Sequence, residues 1–211
     1  QEVNRVLMTG AAGLVAAQLL PTFRERYDMV LVDVKAESPQ GQRVEDVRIA
    51  DLIDPDRSKY AHHFDGVDAV VHLARKRRSG HSMDFFFTEK QNVEMAYNVF
   101  RTAYDTGVSR VAVASSNHAA DWYEDNLIHQ RKMEVVDPYM RPLSSQFYGW
   151  AKATTEHMGF LFASGTFGRK MGMVMARIGA PRELDVGEYA GDPALYKRDL
   201  GAYVSPRDLT Q

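Results

Sequence analysis

The sequence predicts an α/β fold, a doubly wound parallel sheet with helices on both faces. Short apolar segments alternate along the chain with longer segments of helical periodicity, which is the order of successive βαβ units. The apolar segments are continuous runs, as expected for strands that are covered by helices on both faces. The 211 residues contain no internal repeat, low-complexity tract or linker, so we predict one domain over residues 1–211.

The first part of the chain supplies four predicted strands, which are Asn4–Gly10, Met29–Val34, Val47–Leu52 and Asp68–Ala74. A helix over Leu14–Tyr27 separates the first two strands. Pro21 is expected to kink this helix or to end its first part, because proline has no amide hydrogen to donate. A helical stretch around Arg57–Phe64 separates the third strand from the fourth.

The second part of the chain begins with a long predicted helix, Ser82–Val108, which stops near Gly107. The fifth strand, Arg110–Ser116, follows, and a polar loop then extends through Pro142. A second long helix spans about Ser144–Ser164, and the sixth strand is Gly172–Gly179. The remaining residues are rich in glycine, proline and aspartate, and we expect loop with short helix there.

Charge and composition exclude several classes of protein. The formal net charge of −2 gives no general attraction to nucleic acid or membrane, and we expect neither as a partner. The chain has no cysteine, so disulfides, thiolate nucleophiles and cysteine-based zinc sites are excluded. His62 and His63 point to different faces and lack an evident third ligand, so we predict no metal. No signal peptide is visible before the first strand, and we expect a cytoplasmic location.

The segment Thr9–Ala16 joins the first strand to the first helix and predicts a dinucleotide site. Gly10 permits a tight turn, Gly13 permits close approach of a ligand, and the helix N-terminus attracts a pyrophosphate. Asp33 follows Gly13 by 20 residues, where a carboxylate accepts hydrogen bonds from ribose hydroxyls and repels a 2′-phosphate. This favours NAD over NADP, although the nearby Lys35 leaves NADP open. The alternative is a plain strand–helix turn.

Tyr148 and Lys152 are four residues apart on a predicted helix and therefore share a face. Chance alone gives roughly 0.4 such pairs in a chain of this composition, so the pair is weak evidence by itself. The chemistry is nevertheless suitable, because a phenol is a poor base at neutral pH and a nearby ammonium stabilises its phenolate. Ser116 ends a central strand, where ligands bind in such sheets. Tyr148 and Lys152 are therefore a candidate acid/base couple.

Taken together, these motifs resemble the extended short-chain dehydrogenase/reductase family, the group of NAD-dependent epimerases, dehydratases and dehydrogenases with a Rossmann-type fold. The resemblance is carried by TGAAG (Thr9–Gly13), Asp33, ADL (Ala50–Leu52), HLA (His72–Ala74), Asn92, SSNH (Ser115–His118), YGWAK (Tyr148–Lys152) and ARIGAP (Ala176–Pro181). It implies catalytic roles for Ser116, Tyr148 and Lys152. It implies cofactor contacts for Gly10, Ala12, Gly13, Leu14, Asp33, Asp51, Leu52, Leu73, Ala74, Asn92, Ser115, Tyr148, Lys152 and Ile178.

Within the family, ASSNH and RPLSSQFYGWAK resemble the uronate dehydrogenase branch, which oxidises sugar acids. This implies substrate contacts for Ser116, Asn117, His118 and Tyr148, and substrate-binding elements at about 119–143 and 179–211. The chain departs from that branch after RIG, where Ala180 replaces a serine and Arg182 is the candidate for a carboxylate-binding arginine. We therefore predict an NAD-dependent oxidoreductase of a sugar or sugar acid. The alternatives are a nucleotide-sugar epimerase with tightly bound NAD and a non-enzymatic cofactor-binding regulator.

The run Arg75–Arg78 follows the fourth strand at the edge of the expected cleft. Arg75 or Lys76 is predicted to face an acidic or phosphorylated substrate, and the alternative is a solvated loop. The resemblance also implies a homodimer through the helices at about 82–107 and 144–164. It implies as well that a further C-terminal section follows Tyr203–Gln211.

Overall fold

The computed structural model describes residues 2–181, 186–193, 196, 199 and 201–210. Its central feature is a parallel sheet of six strands in the order β3–β2–β1–β4–β5–β6. The strands are β1 (Arg5–Thr9), β2 (Asp28–Asp33), β3 (Val47–Ile49), β4 (Ala69–His72), β5 (Arg110–Ser116) and β6 (Gly172–Ile178). The predicted α/β fold with a doubly wound, Rossmann-type parallel sheet is confirmed.

The sheet reverses its strand order between β1 and β4. The chain leaves β1 for β2 on one side and returns to β4 on the other, so Thr9 pairs with Val32 and with His72. In open parallel sheets, ligands bind outside the carboxyl ends of the strands at such a reversal. The topology therefore places a cleft beside the segments that follow β1, β2 and β4.

The main helices lie on the two faces of this sheet. Helix α1 (Leu14–Arg26) covers one face, where Leu19 and Leu20 pack with Met8 and Leu31. The helices α2 (Phe85–Asp105) and α4 (Phe147–Ser164) cover the other face, packed side by side. Adjacent strand residues thus join different cores, since Leu7 packs with Val99 and Phe162 beneath α2 and α4. This alternation follows from the strand period of two.

Several predicted boundaries differ from the structure. Helix α1 continues through Pro21 to Arg26, so of the two expectations for Pro21, a kink or an end to the first part of the helix, the end is wrong. Core packing of Leu19 and Leu20 outweighs the hydrogen bond that Pro21 cannot donate. Strand β3 ends at Ile49 instead of residue 52. The stretch at 57–64 forms two 3₁₀ turns, Arg57–Lys59 and Ala61–Phe64.

The two long helices begin three residues later than predicted. A 3₁₀ turn, Ser82–Asp84, precedes α2, and an extended Gln146 precedes α4. The predicted polar loop after β5 also contains structure, with a turn at Asn117–Ala120, helix α3 (Asp121–Tyr123) and a π-helical turn at Glu124–Ile128.

Near the end of the chain, β7 (Ala180–Pro181) pairs in parallel with β8 (Tyr203–Val204), and a short helix spans Pro206–Leu209. Arg182 lies outside the described residues. Of the helices in the described part of the chain, none has the length and apolar character required for a membrane span.

Candidate active site

A cavity of about 730 Å³ opens at the carboxyl ends of β1, β2 and β4. Its volume lies within the ordinary range of cofactor pockets. Most residues that the sequence assigns to the cofactor line its wall, namely Gly10, Ala12, Gly13, Leu14, Asp33, Asp51, Leu52, Leu73 and Ala74. Lys35, Met95 and the first three residues of the basic run, Arg75, Lys76 and Arg77, line it as well.

The packing of the sheet requires glycine in the turn after β1. Gly10 has a φ of +68°, and a Cβ there would lie 2.6 Å from the amide nitrogen of Ala74. Only glycine fits this close approach between the end of β1 and the segment after β4. Gly13 precedes helix α1 without a side-chain cap, and the first residues of the helix, Leu14, Val15 and Ala16, line the cavity.

Asp33 is held beside this turn by two backbone hydrogen bonds. Its carboxylate accepts from the amides of Ala12 (3.0 Å) and Val34 (2.7 Å). An uncapped helix N-terminus and a fixed carboxylate on one cavity match the pyrophosphate and the ribose hydroxyls of a dinucleotide. The chemistry of these groups therefore fits NAD.

Thr9 ties β1 to the end of β4. Its hydroxyl accepts from the amides of Leu73 and Ala74, both at 3.2 Å, and donates to Nδ1 of His72 at 2.7 Å. Burial, with a smaller contribution from the charge of Lys152, lowers the pKa of His72 to about 3. Because the Thr9 oxygen already accepts from two amides, its hydroxyl hydrogen is directed to Nδ1 of the neutral imidazole, and Thr9 fixes Ala74 in the cavity wall.

Tyr148 and Lys152 lie on the first two turns of α4, above the carboxyl end of β5. The Lys152 ammonium donates to the carbonyl of Ala114 and lies 5.7 Å from the centre of the Tyr148 ring. Burial and then the charge of Arg75 lower the pKa of Lys152 to about 8, against the opposing charges of Glu89 and Glu156. The pair is thus a phenol with a nearby amine whose charge is sensitive to mildly alkaline pH.

Gly149 allows α4 to approach the turn after β5. A Cβ at Gly149 would lie 2.0 Å from the carbonyl oxygen of His118, so no other residue fits without movement of the backbone. This contact places Tyr148 beside His118, with 5.7 Å between the two ring centres. The structure therefore brings the ASSNH and YGWAK segments together.

Ser116 caps the turn that carries Asn117 and His118. Its buried hydroxyl donates to Oδ1 of Asn117 (3.3 Å) and accepts from the amide of His118 (3.2 Å). His118 Nδ1 lies 3.1 Å from a carboxylate oxygen of Asp121. Burial acts to raise the pKa of Asp121, but hydrogen bonds, first from the amide of Ser145, outweigh it and hold the pKa below its usual value.

Arg75 lies between the cavity and Tyr148. Its guanidinium donates to Oε1 of Glu89 at 2.8 Å and stacks 4.3 Å from the centre of the Tyr148 ring. Glu89 is only 1% exposed and also accepts from Nδ2 of Asn92 at 3.0 Å. The sequence predicts that Arg75 faces an anionic substrate. In the structure, its positive charge is paired with the buried carboxylate of Glu89.

Asn92 fixes the start of the basic run. Its side chain accepts from the amide of Lys76 (2.8 Å) and donates to the carbonyl of the same residue (3.0 Å). Asn92 lies outside the large cavity and instead lines a small one of about 20 Å³, together with Lys152, Glu89, Ala74 and Arg75. The remainder of the run, Lys76–Arg78, is exposed.

Five predicted cofactor residues lie outside the wall of the large cavity, namely Asn92, Ser115, Tyr148, Lys152 and Ile178. Ser115 donates its hydroxyl to Glu156 at 2.5 Å, and Glu156 also binds Arg177 at 2.7 Å. Ile178 ends β6, paired with Ser116. Their contacts with a cofactor stay predictions. Within the described part of the chain, no group of three or more His, Asp or Glu side chains could hold a metal.

The sequence reasoning missed Glu89 and Asp121. Glu89 had a detectable signal, because it shares the apolar stripe of α2 with Ala96, Val99 and Ala103, at helical spacing. A glutamate in such a stripe requires a buried partner. Asp121 had no comparable signal, since its partners, Ser145 and Gln146, are remote in sequence.

Comparison with known proteins adds a family-level finding. The model of the NAD-dependent epimerase/dehydratase family matches residues 6–175. An NAD-dependent glucose-6-phosphate dehydrogenase of Haloferax volcanii is 32% identical over 166 residues, which cover 73% of this chain and 61% of that protein. A uronate dehydrogenase of Pseudomonas syringae pv. tomato is 31% identical over 163 residues, which cover 75% of this chain and 54% of that protein.

The fold is also that of a mutated uronate dehydrogenase of known structure. The TM-score is 0.71 at 24% identity, over 98% of this chain and 66% of that one. The chain thus spans between half and two thirds of the length of each of these proteins.

Proposed function

Because the chain belongs to the NAD-dependent epimerase/dehydratase family, we propose that it is an NAD-dependent oxidoreductase that acts on a sugar or a sugar acid. The resemblance to the extended short-chain dehydrogenase/reductases is thereby confirmed at the level of the family. The observation that carries the proposal is the meeting of Tyr148 and Lys152 with the Ser116–His118 turn, beside a cavity that fits a dinucleotide.

In the proposed reaction, each residue of the site has a separate task. The α1 N-terminus and Asp33 bind the pyrophosphate and a ribose. Ser116 hydrogen-bonds the reacting oxygen of the sugar, and Tyr148 removes the proton from that hydroxyl. Lys152 supplies positive charge that favours the phenolate form of the base. NAD, when bound, accepts the hydride that leaves the carbon.

Asp33 supports NAD in preference to NADP. Its carboxylate is fixed at the cavity wall by the amides of Ala12 and Val34, so it cannot easily turn away from a 2′-phosphate. Lys35 lines the same cavity, and its positive charge would favour NADP.

A sugar with a negative charge suits the mouth of the site. Arg78 is exposed, lies 5.8 Å from the centre of the Tyr148 ring and makes no ion pair with the described residues. Glucose 6-phosphate and uronates, named for two relatives, both carry such a charge. Segments 119–143 and 179–211 would complete the substrate site.

A homodimer is part of the proposal. Helices α2 and α4 carry an aromatic cluster that is partly open to solvent, in which Phe86 contacts Phe87, Phe147 and Trp150. Phe87 is 66% exposed, and large exposed apolar faces mark interaction sites. A second copy of this face would cover it, and light scattering of the purified protein measures the expected dimer mass. A cytoplasmic location stays a prediction from the sequence.

The first experiment mixes the protein with NAD and a panel of sugar acids, sugar phosphates, neutral sugars and nucleotide sugars. Growth of NADH absorbance with an anionic free sugar supports the dehydrogenase. Tyr148→Phe should abolish turnover and spare NAD binding, whereas Tyr27→Phe, at the C-terminal end of α1 and away from the cavity wall, should change neither. Turnover by Tyr148→Phe would refute the mechanism. NAD already bound to purified protein, without net NADH formation, favours the epimerase alternative.

A further inference from the structure

We propose that Glu89 and Arg75 form a positioning pair, in which the hydrogen bond to the buried Glu89 carboxylate holds the Arg75 guanidinium against Tyr148 and the positive charge of Arg75 favours the phenolate. The inference rests on the proposed function, because that function makes Tyr148 the base. It adds a second fixed cation to the site and gives a task to a carboxylate inside helix α2.

Packing alone does not account for Glu89. The residue lies on the apolar stripe of α2 with only 1% of its surface exposed. A buried ion pair is seldom more stable than apolar side chains of similar volume, because both charges must leave water. Glu89 nevertheless has two partners that satisfy its carboxylate, the guanidinium of Arg75 and the amide of Asn92. The effect of burying Glu89 is that its carboxylate fixes the position of Arg75.

Arg75 has the position that such a task requires. One edge of its guanidinium is bound by Glu89, and the group stacks 4.3 Å from the centre of the Tyr148 ring. Its buried Nε has no hydrogen-bond partner among the described residues, so Glu89 is the contact that orients the group. A cation near an aromatic ring is attracted to it, and the attraction grows when the ring carries a negative charge.

Other charged or titratable groups also face Tyr148 and Lys152. They are Arg78 from the loop after β4, His72 from β4, His118 with Asp121 from the segment after β5, Glu89 from α2, and Glu156 with its partner Arg177. Among the cations, Lys152 changes charge first, because burial and the charge of Arg75 lower its pKa to about 8. A guanidinium group keeps its charge at the pH values where a lysine with a lowered pKa loses its own. Arg75 therefore keeps positive charge beside Tyr148 when Lys152 has lost its own.

The test titrates Tyr148 directly, without turnover. The ultraviolet absorbance of tyrosinate is recorded against pH for each protein and for the same protein carrying Tyr148→Phe, and the difference belongs to Tyr148. Arg75→Gln removes the cation, so the midpoint of the Tyr148 titration should move up by about one pH unit. This shift corresponds to roughly tenfold less phenolate at a given pH. Glu89→Gln keeps the oxygen that accepts from Arg75 and so leaves the guanidinium in place, but it removes the negative charge that opposes the phenolate, so the Tyr148 midpoint should move down.

Matched variants separate charge from structure. Arg75→Lys keeps the charge, and its midpoint should stay closer to the wild-type value than that of Arg75→Gln. Glu94→Gln removes an exposed carboxylate from the same helix, where it pairs with Lys90, and should leave the midpoint unchanged. In the pH profile of kcat/KM, the rising limb should move in the same two directions as the absorbance.

Opposite shifts in Arg75→Gln and Glu89→Gln are the signature of the proposal, because a general disturbance of the site would move both midpoints the same way. Shifts in one direction, or no shift in either variant, would overturn it. If Arg75→Gln does not fold, Glu89→Gln decides alone, and an unchanged or raised midpoint rejects the pair. Failure of the proposed function appears separately, as a wild-type protein that forms no NADH with any sugar.

Discussion

Replacing Gly149 by alanine adds a methyl group where helix α4 meets the turn after β5. The added Cβ would lie 2.0 Å from the carbonyl oxygen of His118, whereas ordinary contacts begin at 3.4 Å. The helix and the turn therefore have to separate by about 1.4 Å, the difference of these two distances. Tyr148 is the adjacent residue, so the movement passes directly to the proposed base.

Two effects of different size are expected from this substitution. Overpacking lowers the free energy of unfolding by about 1–3 kcal/mol. Displacement of a catalytic group by about 1 Å lowers kcat by roughly 100-fold. The dissociation constant for NAD should change little, because the glycine turn and Asp33 lie at the ends of other strands.

The assays are NADH formation for kcat, calorimetric titration for NAD binding, and urea denaturation for stability. Gly172→Ala is the control, because a Cβ there has its nearest contact at 3.5 Å and should leave all three quantities near the wild-type values. A Gly149→Ala protein with wild-type kcat would show that turnover does not depend on this close approach.

Three further predictions concern the cavity and its support. Thr9→Val leaves Nδ1 of His72 and the amide of Ala74 without their hydroxyl partner, at about 1–3 kcal/mol each, so the free energy of unfolding in urea should fall by about 2–6 kcal/mol. An equal effect from the exposed Thr166→Val would contradict this. The folded-state pKa of His72 is about 3, below the ordinary value of 6.5, so the unfolded chain binds the extra proton between these values. The contribution of His72 to the free energy of unfolding is therefore complete above pH 6.5 and decreases as the pH falls, by about 2 kcal/mol at pH 5. Between pH 7 and pH 5, the free energy of unfolding of His72→Gln should decrease less than that of the wild type. An identical pH dependence of the two proteins would reject the assignment. Asp33→Asn should shift the ratio of NAD to NADP affinities by roughly tenfold toward NADP, because the charge that repels a 2′-phosphate is lost; an unchanged ratio in titrations with both cofactors would argue against the role of Asp33.

Secondary structure and the candidate site were most predictable where they depend on residues that are close together in the sequence. The first strand, the glycine turn and helix α1 are recognisable because strand period, glycine and helix period follow one another within about twenty residues. The face shared by Tyr148 and Lys152 follows from helix geometry alone. Strand period could also have separated Ser115 from Ser116, because adjacent strand residues point to opposite faces. In the structure, Ser115 binds Glu156 and Ser116 caps the next turn.

Boundaries were less predictable where distant residues decide them. Helix α4 begins at Phe147 instead of Ser144, and the amide of Ser145 donates to the carboxylate of Asp121. A buried carboxylate 24 residues earlier thus holds the segment that local propensity would have made helical. Helix α1 shows the reverse effect, since its core contacts carry the helix past Pro21.

The sequence by itself determined the order of strands and helices, the glycine turn followed by Asp33, and the residue types of the candidate catalytic group. These features depend on the periods and conformational limits of local backbone, which each short segment carries within it. Only the tertiary structure decided that Arg75 is paired with Glu89 and stacked on Tyr148, that Thr9 binds His72, and that Gly149 must lack a side chain. The physical reason is that each of these contacts joins residues on different elements. Their distances are set by the packing of the sheet and helices as a whole, and no local segment contains that information.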